Sequence, residues 1–266
     1  MPPVGTSLKC FNNRNMRWAI LFAGLVVSTL LIREYSHAWD TQASPEGMGV
    51  FFTAFGILYA IISAFVLLES LQRFDVLKLV ISDEINAMQD IRDLVCYLDE
   101  DANEAVGRDI KRAMLTYVES ILDTEWVKLE SKSNLDDKDT TVELHDVMTE
   151  TNKIKVTNPS DTVALRFIIS NLMDVTTYRT KRFAITEEET PPKITWLLNF
   201  MSVALVAGLV LMRIDSLIIH LFMVLTMATA VHLIYYMQKD LNQPFSGDWR
   251  IERKEFEGLA DSLRPR

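Results

Sequence analysis

Four stretches of this chain, residues 18–32, 48–68, 194–212 and 216–237, contain no Asp, Glu, Lys or Arg. A helix rises about 1.5 Å per residue, so about 20 apolar residues cross a hydrocarbon core of roughly 30 Å, and the last three stretches are long enough. The first is short. Starting it at Met16 lengthens it, and Arg17 and Arg33 at its borders can snorkel toward headgroups. Within lipid every backbone N–H and C=O must be satisfied inside the segment, so these runs are predicted to be helices rather than strands. The fold expected is all-α and polytopic, with four transmembrane helices and a helical cytoplasmic region between the second and third.

The first run has a second reading. Lys9, Arg14 and Arg17 precede it and Ser36, His37 and Ala38 follow, which is also the pattern of a cleaved signal peptide. Orientation comes from the basic flanks. Lys9, Arg14 and Arg17 stand before the first run without an acid, whereas residues 33–47 hold one Arg against Glu34, Asp40 and Glu46. Positive charge stays inside, which puts the N-terminus in the cytoplasm and that loop outside. Arg73 and Lys78 after the second run, Arg179, Lys181 and Arg182 before the third, and Lys239 after the fourth agree. Only Arg213, Ile214 and Asp215 join the last two runs, so these form a tight antiparallel hairpin. Both termini are therefore expected to be cytoplasmic.

Four regions follow: an arm with the first two spans (1–69), an acidic helical region (70–190), a transmembrane hairpin (191–238) and a cytoplasmic tail (239–266). The acidic region holds 25 Asp/Glu against 15 Lys/Arg. Phe74, Leu77, Ile81, Ile85, Met88, Ile91, Val95 and Leu98 recur at steps of three or four, the mark of a helix with one apolar face. No Pro or Gly interrupts residues 65–98, so the second span is predicted to continue into this helix. Asp101 with Glu104 forms a capping-box pattern opening a second helix to about Glu130, with Val106, Ile110, Ala113, Tyr117 and Ile121 as its stripe. Residues 131–160 are polar and contain Asn158 before Pro159. They are expected to be mostly loop, with one or two helical turns within 142–149. Ser160 or Asp161 then caps a third helix bearing Leu165, Ile168, Leu172 and Val175, and its basic end at Arg179, Lys181 and Arg182 suits a helix C-terminus or an anionic lipid surface.

Chemistry is sparse. Cys10 and Cys96 have no metal-ligand spacing, and there is no Gly-rich phosphate loop, HExxH or GxSxG. Asp99, Glu100 and Asp101 lack the spacing and glycine of an EF-hand. No catalytic residue, cofactor or metal site is expected, and the net charge of -9 argues against nucleic acid as a partner. The second span carries Phe51, Phe55, Tyr59, Ile62 and Phe65 toward one side, residues that can line a pore gated by dewetting or simply meet lipid and other helices. Gly49, Thr53, Gly56, Ala60 and Ser63 lie opposite, small groups that permit close helix packing. Two histidines lie within the spans. His232 lies in line with Thr229 and Thr226, a polar stripe suited to a wet cavity or a neighbouring helix. His220 falls near the outer interface, where simple solvation is expected.

After the fourth span come Asp240, Pro244, Phe245, Ser246, Gly247, Asp248 and Trp249. Pro244 to Gly247 make a turn, and Phe256, Leu259 and Leu263 beyond it suggest a short amphipathic helix that returns to the bundle or lies on the membrane. This tail strongly resembles the end of a family of bacterial membrane proteins called bestrophin-like, in which a Pro-Phe-Ser-Gly turn follows the fourth helix. Residues 65–75, 82–88 and 117–126, with Glu125 beside Trp126, agree with it. No bestrophin calcium clasp is seen, nor the tryptophan and arginine signatures. The resemblance implies a homo-oligomer in the lipid bilayer of the bacterial inner membrane, conducting an inorganic anion along the second span. The alternative is a non-conducting scaffold or signalling protein whose cytoplasmic helices bind a protein partner.

Overall fold

The computed structural model describes residues 23–32, 34, 45–131, 141–188, 190–212, 214 and 216–264, and among these there is no strand. Its helices are α1 (Ala23–Ile32), α2 (Pro45–Leu94), α3 (Glu100–Ser120), α4 (Trp126–Ser131), α5 (Thr141–Thr151), α6 (Pro159–Glu187), α7 (Pro192–Leu211), α8 (Leu217–Leu241) and α9 (Lys254–Leu263). Two compact units result: unit 1 from residues 1–68 and 190–238, and unit 2 from residues 69–189 and 239–266. Helix α2 is unbroken over 50 residues and supplies part of each. Pro191 and Pro192 separate α6 from α7, as expected where proline removes an N–H donor.

In unit 1, three helical stretches are long and apolar enough to cross a membrane, those containing the second, third and fourth charge-free runs. Helix α1 is shorter, and residues 18–22 of the first run lie outside the described residues, as do Arg213 and Asp215 of the hairpin. Tyr59 and Val66 of α2 pack with Leu198, Met201 and Leu205 of α7 and Val231 of α8. Leu25 and Ile32 of α1 lie against a second cluster of Leu209, Val210 and Val224. The close approach between helices is at Gly208, where an added Cβ would stand 2.6 Å from Phe52 Cζ. Gly49 and Gly56, in the small-residue stripe, have open space at that position.

In unit 2, the stripe of α2 from Leu77 to Ile91 packs with Ile110, Met114 and Tyr117 of α3, Ile168 and Val175 of α6, and Phe256 and Leu259 of α9. Three expectations change here. The second cytoplasmic helix opens two residues earlier than its capping pattern suggests, because Asp99, not Asp101, is the cap and accepts from the Asp101 N–H. It then passes through one π-helical turn, Ile121–Glu125, before α4. The third helix is capped by Asn158, with Asp161 completing a capping box and Pro159 in the first turn, rather than by Ser160 or Asp161. The polar stretch before it contains α5, a full helix whose Leu144, Val147 and Thr151 are buried. Three buried positions at steps of three and four suffice when a packing partner exists, and that is too weak a pattern to separate from loop in sequence.

Candidate functional site

The exposed face of α2 in unit 1 is uncharged and, apart from Thr53, apolar. Ile57, Ile61 and Phe65 are 56%, 49% and 68% exposed and follow at steps of four, which places them along one side of the helix. Of the five residues that sequence put on a pore side, Phe65 belongs to this row. Tyr59 does not: it is buried and its hydroxyl accepts from Ser202 Oγ on α7 at 3.2 Å. Phe55 and Ile62 are partly buried against the same cluster, and exposed Phe51 stacks on Phe55 with ring centroids 5.3 Å apart. The aromatic side is thus largely the packing side. A turn of roughly 100° per residue separates it from the open side, and aromatic content alone does not say which is which.

The polar stripe on α8 also divides. Thr226 and Thr229 are exposed, and Thr229 bonds back to Leu225 O at 2.7 Å. His232 instead lines a cavity of about 630 Å³ with Leu25, Ser28, Ser202, Val206 and Val210, between α1, α7 and α8. His220 is 2% exposed rather than solvated, and its Nε2–H donates to Leu209 O at 2.9 Å. That bond ties the start of α8 to the end of α7, since a buried imidazole needs a partner for its polar edge.

Unit 2 holds a buried ion network that sequence reading missed. Arg182 Nε meets Glu84 Oε2 at 2.8 Å, and its Nη2 meets Glu125 Oε2 at 2.8 Å. Arg179 lies 3.6 Å from Glu125, and the Tyr117 hydroxyl donates to Glu84 Oε1 at 3.1 Å. The guanidinium of Arg182 also stands 5.9 Å from the Phe256 ring centroid. Burial alone would lower the Arg182 pKa, but the Glu84 and Glu125 carboxylates outweigh it and hold it above its usual value. Burial, then the Glu84 charge, push the Tyr117 phenol well up. Arg179 and Arg182 therefore face the interior and not a lipid surface, while Lys181 stays exposed. A signal existed: Glu84 lies three residues after Ile81, Glu125 four after Ile121, and Arg179 and Arg182 continue the Leu172 and Val175 stripe. Charges on an apolar face at helical spacing are the pattern of a buried pair.

The tail turn is built around Asp240. Its carboxylate accepts from the Asp248 N–H at 2.7 Å and the Trp249 N–H at 2.8 Å. A Cβ at Gly247 would fall 2.5 Å from Asp240 Oδ1 and 3.0 Å from its backbone oxygen, so glycine is required by space. Phe245, 3% exposed, packs edge-on against Trp126 at 5.2 Å, and Trp126 meets Phe256 at 6.0 Å. Pro244 accepts at its carbonyl from the Ile251 N–H, which closes the loop, and Ser246 donates its N–H to Gln243 O. No group of three or more His, Cys, Asp or Glu side chains suited to a metal ion occurs among the described residues.

A model of the bestrophin-like domain matches residues 19–256. A crystal structure of a variant of the bestrophin homologue from Klebsiella pneumoniae is similar at a TM-score of 0.76 with 11% identity, covering 93% of this chain and 97% of that one. A second variant of that homologue is similar at 0.74 with 15% identity, covering 91% and 96%. The likeness to these structures is one of fold. No curated protein matches the chain.

Proposed function

The chain belongs to the bestrophin-like family, and from that premise we propose that it is a homo-oligomeric membrane channel conducting anions along the open face of α2. The observation that carries this reading is the row Ile57, Ile61 and Phe65: an exposed, uncharged stripe on an unbroken helix. Facing copies of such a row would make a hydrophobic constriction that passes an ion only when wetted. Four spans, with both termini and unit 2 on the cytoplasmic side of the bacterial inner membrane, complete the proposal; the basic flanks support it. Copies of the chain would also cover Val76 and Leu79 on α2 and Phe167 and Met173 on α6, all exposed in the single chain.

The test is reconstitution. Purified protein in liposomes should support a chloride flux absent from empty liposomes, and its particle should show rotational symmetry. A foreign protein co-purifying in fixed stoichiometry, with no flux at any pH, voltage or calcium level, would favour the scaffold reading, for which the same exposed residues on α6 are the docking face.

A further inference from the structure

A groove of about 640 Å³ on unit 2 lies between the end of α2, the middle of α3 and the end of α9. Arg92, Arg108, Lys111, Arg112 and Arg264 line it, against one acid, Asp261. This reverses the sign of its surroundings, since residues 70–190 hold 25 acids and 15 bases. Asp261 pairs with Arg264 at 2.9 Å within the lining, and the other carboxylates that pair with its arginines stand outside it. Asp93 meets Arg92 at 2.8 Å, Asp109 meets Arg112 at 3.1 Å, Glu119 meets Arg264 at 3.2 Å, and Glu104 pairs with Arg108.

Arg92, Arg108 and Arg112 each meet their carboxylate through one nitrogen. A guanidinium has five N–H donors, so most are left for another acceptor. Lys111 Nζ donates to the Cys96 sulfur at 3.6 Å. Exposed ion pairs of this kind are weak and easily shared.

We propose that this groove binds a small phosphate-bearing polyanion. One halide cannot engage cations on three helices around a space of this size, whereas several phosphate oxygens can, and the planar fork of arginine matches them. A cavity of this volume is in the range of small-molecule sites. Net charge -9 repels a long nucleic acid, so the ligand is short. A free oligophosphate and a lipid headgroup share this chemistry.

The full chain in phosphatidylcholine nanodiscs is titrated with inorganic triphosphate while the unfolding midpoint is followed. A saturable rise is expected, weakened about tenfold or more in Lys111→Gln/Arg112→Gln, which deletes two charged contacts, and unchanged in Lys128→Gln on α4. If the midpoint responds only to phosphatidylglycerol in the disc, and less so in the double variant, the groove holds a headgroup and the proposal stands with that source. No response to either probe, or equal responses with and without the two charges, overturns it. Should the double variant not fold, Arg264→Gln, at the residue that follows α9, is measured instead, with the same outcomes.

Discussion

Arg182 of α6 and Glu84 of α2, 98 positions apart in the chain, meet in the interior of unit 2 with Nε 2.8 Å from Oε2, and neither side chain is more than 1% exposed. Together with Glu125 and Arg179 they form a set of two cations and two anions. Such a set is tolerable only as a whole, because burying one unpaired charge is far costlier than burying a compensated pair.

Replacing Arg182 by Met leaves Glu84 and Glu125 with too little positive charge, and removing one partner of a buried pair costs about 3–5 kcal/mol. The unfolding midpoint of the full chain in detergent should drop sharply. Glu84→Gln with Arg182→Met should lose less than the two single losses added together, since each single change already breaks the same contact. Strict additivity in this cycle would show that the contact contributes nothing.

Gly247→Ala should destabilise by about 1–3 kcal/mol, the usual range for forcing a methyl into filled space. Here the obstruction includes the backbone oxygen of Asp240, which cannot swing away as a side chain would. Asp240→Ala removes the carboxylate but orphans the Asp248 and Trp249 N–H groups. Both variants should therefore melt early, and the pair should be coupled when measured by thermal unfolding. Phe245→Ala, which empties the space beside Trp126, should cost about 3–5 kcal/mol in the same assay.

These two regions show what the sequence made legible. The helices could be read because apolar residues recur at three and four over long windows, and the continuity of α2 because no Pro or Gly breaks it. The spacing of Phe256, Leu259 and Leu263 gives an amphipathic helix but leaves open whether it returns to the bundle or lies on the membrane, and α9 buries all three in unit 2. The ion network is legible only in part: charges on apolar stripes mark Glu84, Glu125, Arg179 and Arg182 as buried positions, but which of them pair cannot be read along one helix, because the partners lie on different helices. His220 was misplaced for a similar reason. Its partner, Leu209 O, is a backbone group at the end of α7, and side-chain patterns carry no record of such acceptors. On α2 the periodicity gave a helix, but aromatic residues serve packing and lining equally, so Tyr59 and Phe65 were placed together although one is buried and the other open.

That division on α2 separates two outcomes. Phe65→Ala and Ile61→Ser should widen and wet the constriction and speed chloride flux in liposomes, while the protein folds as before, since both positions are exposed in the single chain. Tyr59→Ala should instead lower the unfolding midpoint by opening a cavity against Leu198, Met201 and Leu205. Unchanged flux in both exposed-face variants would take this face out of the conducting path.

Asp161 gives a pH dependence with a definite sign. Its carboxylate accepts from the backbone N–H groups of Asp99, Thr157 and Asn158 and from the Thr157 hydroxyl, linking the start of α3 to the start of α6. The Asp99 and Thr157 N–H bonds lead in holding its pKa down to about 2. The unfolded chain has an ordinary Asp value of about 3.9, so below that pH the unfolded state binds the extra proton first. The stabilisation is complete above the unfolded value and is lost as pH falls toward about 2. Asp161→Asn keeps one acceptor oxygen but no charge, so it should melt earlier than wild type at pH 6. The gap should narrow as pH falls from 5 to 2.5, because only wild type has this carboxylate to lose. Midpoints that fall in parallel over that range would mean that the bonds to Asp161 do not depend on its charge.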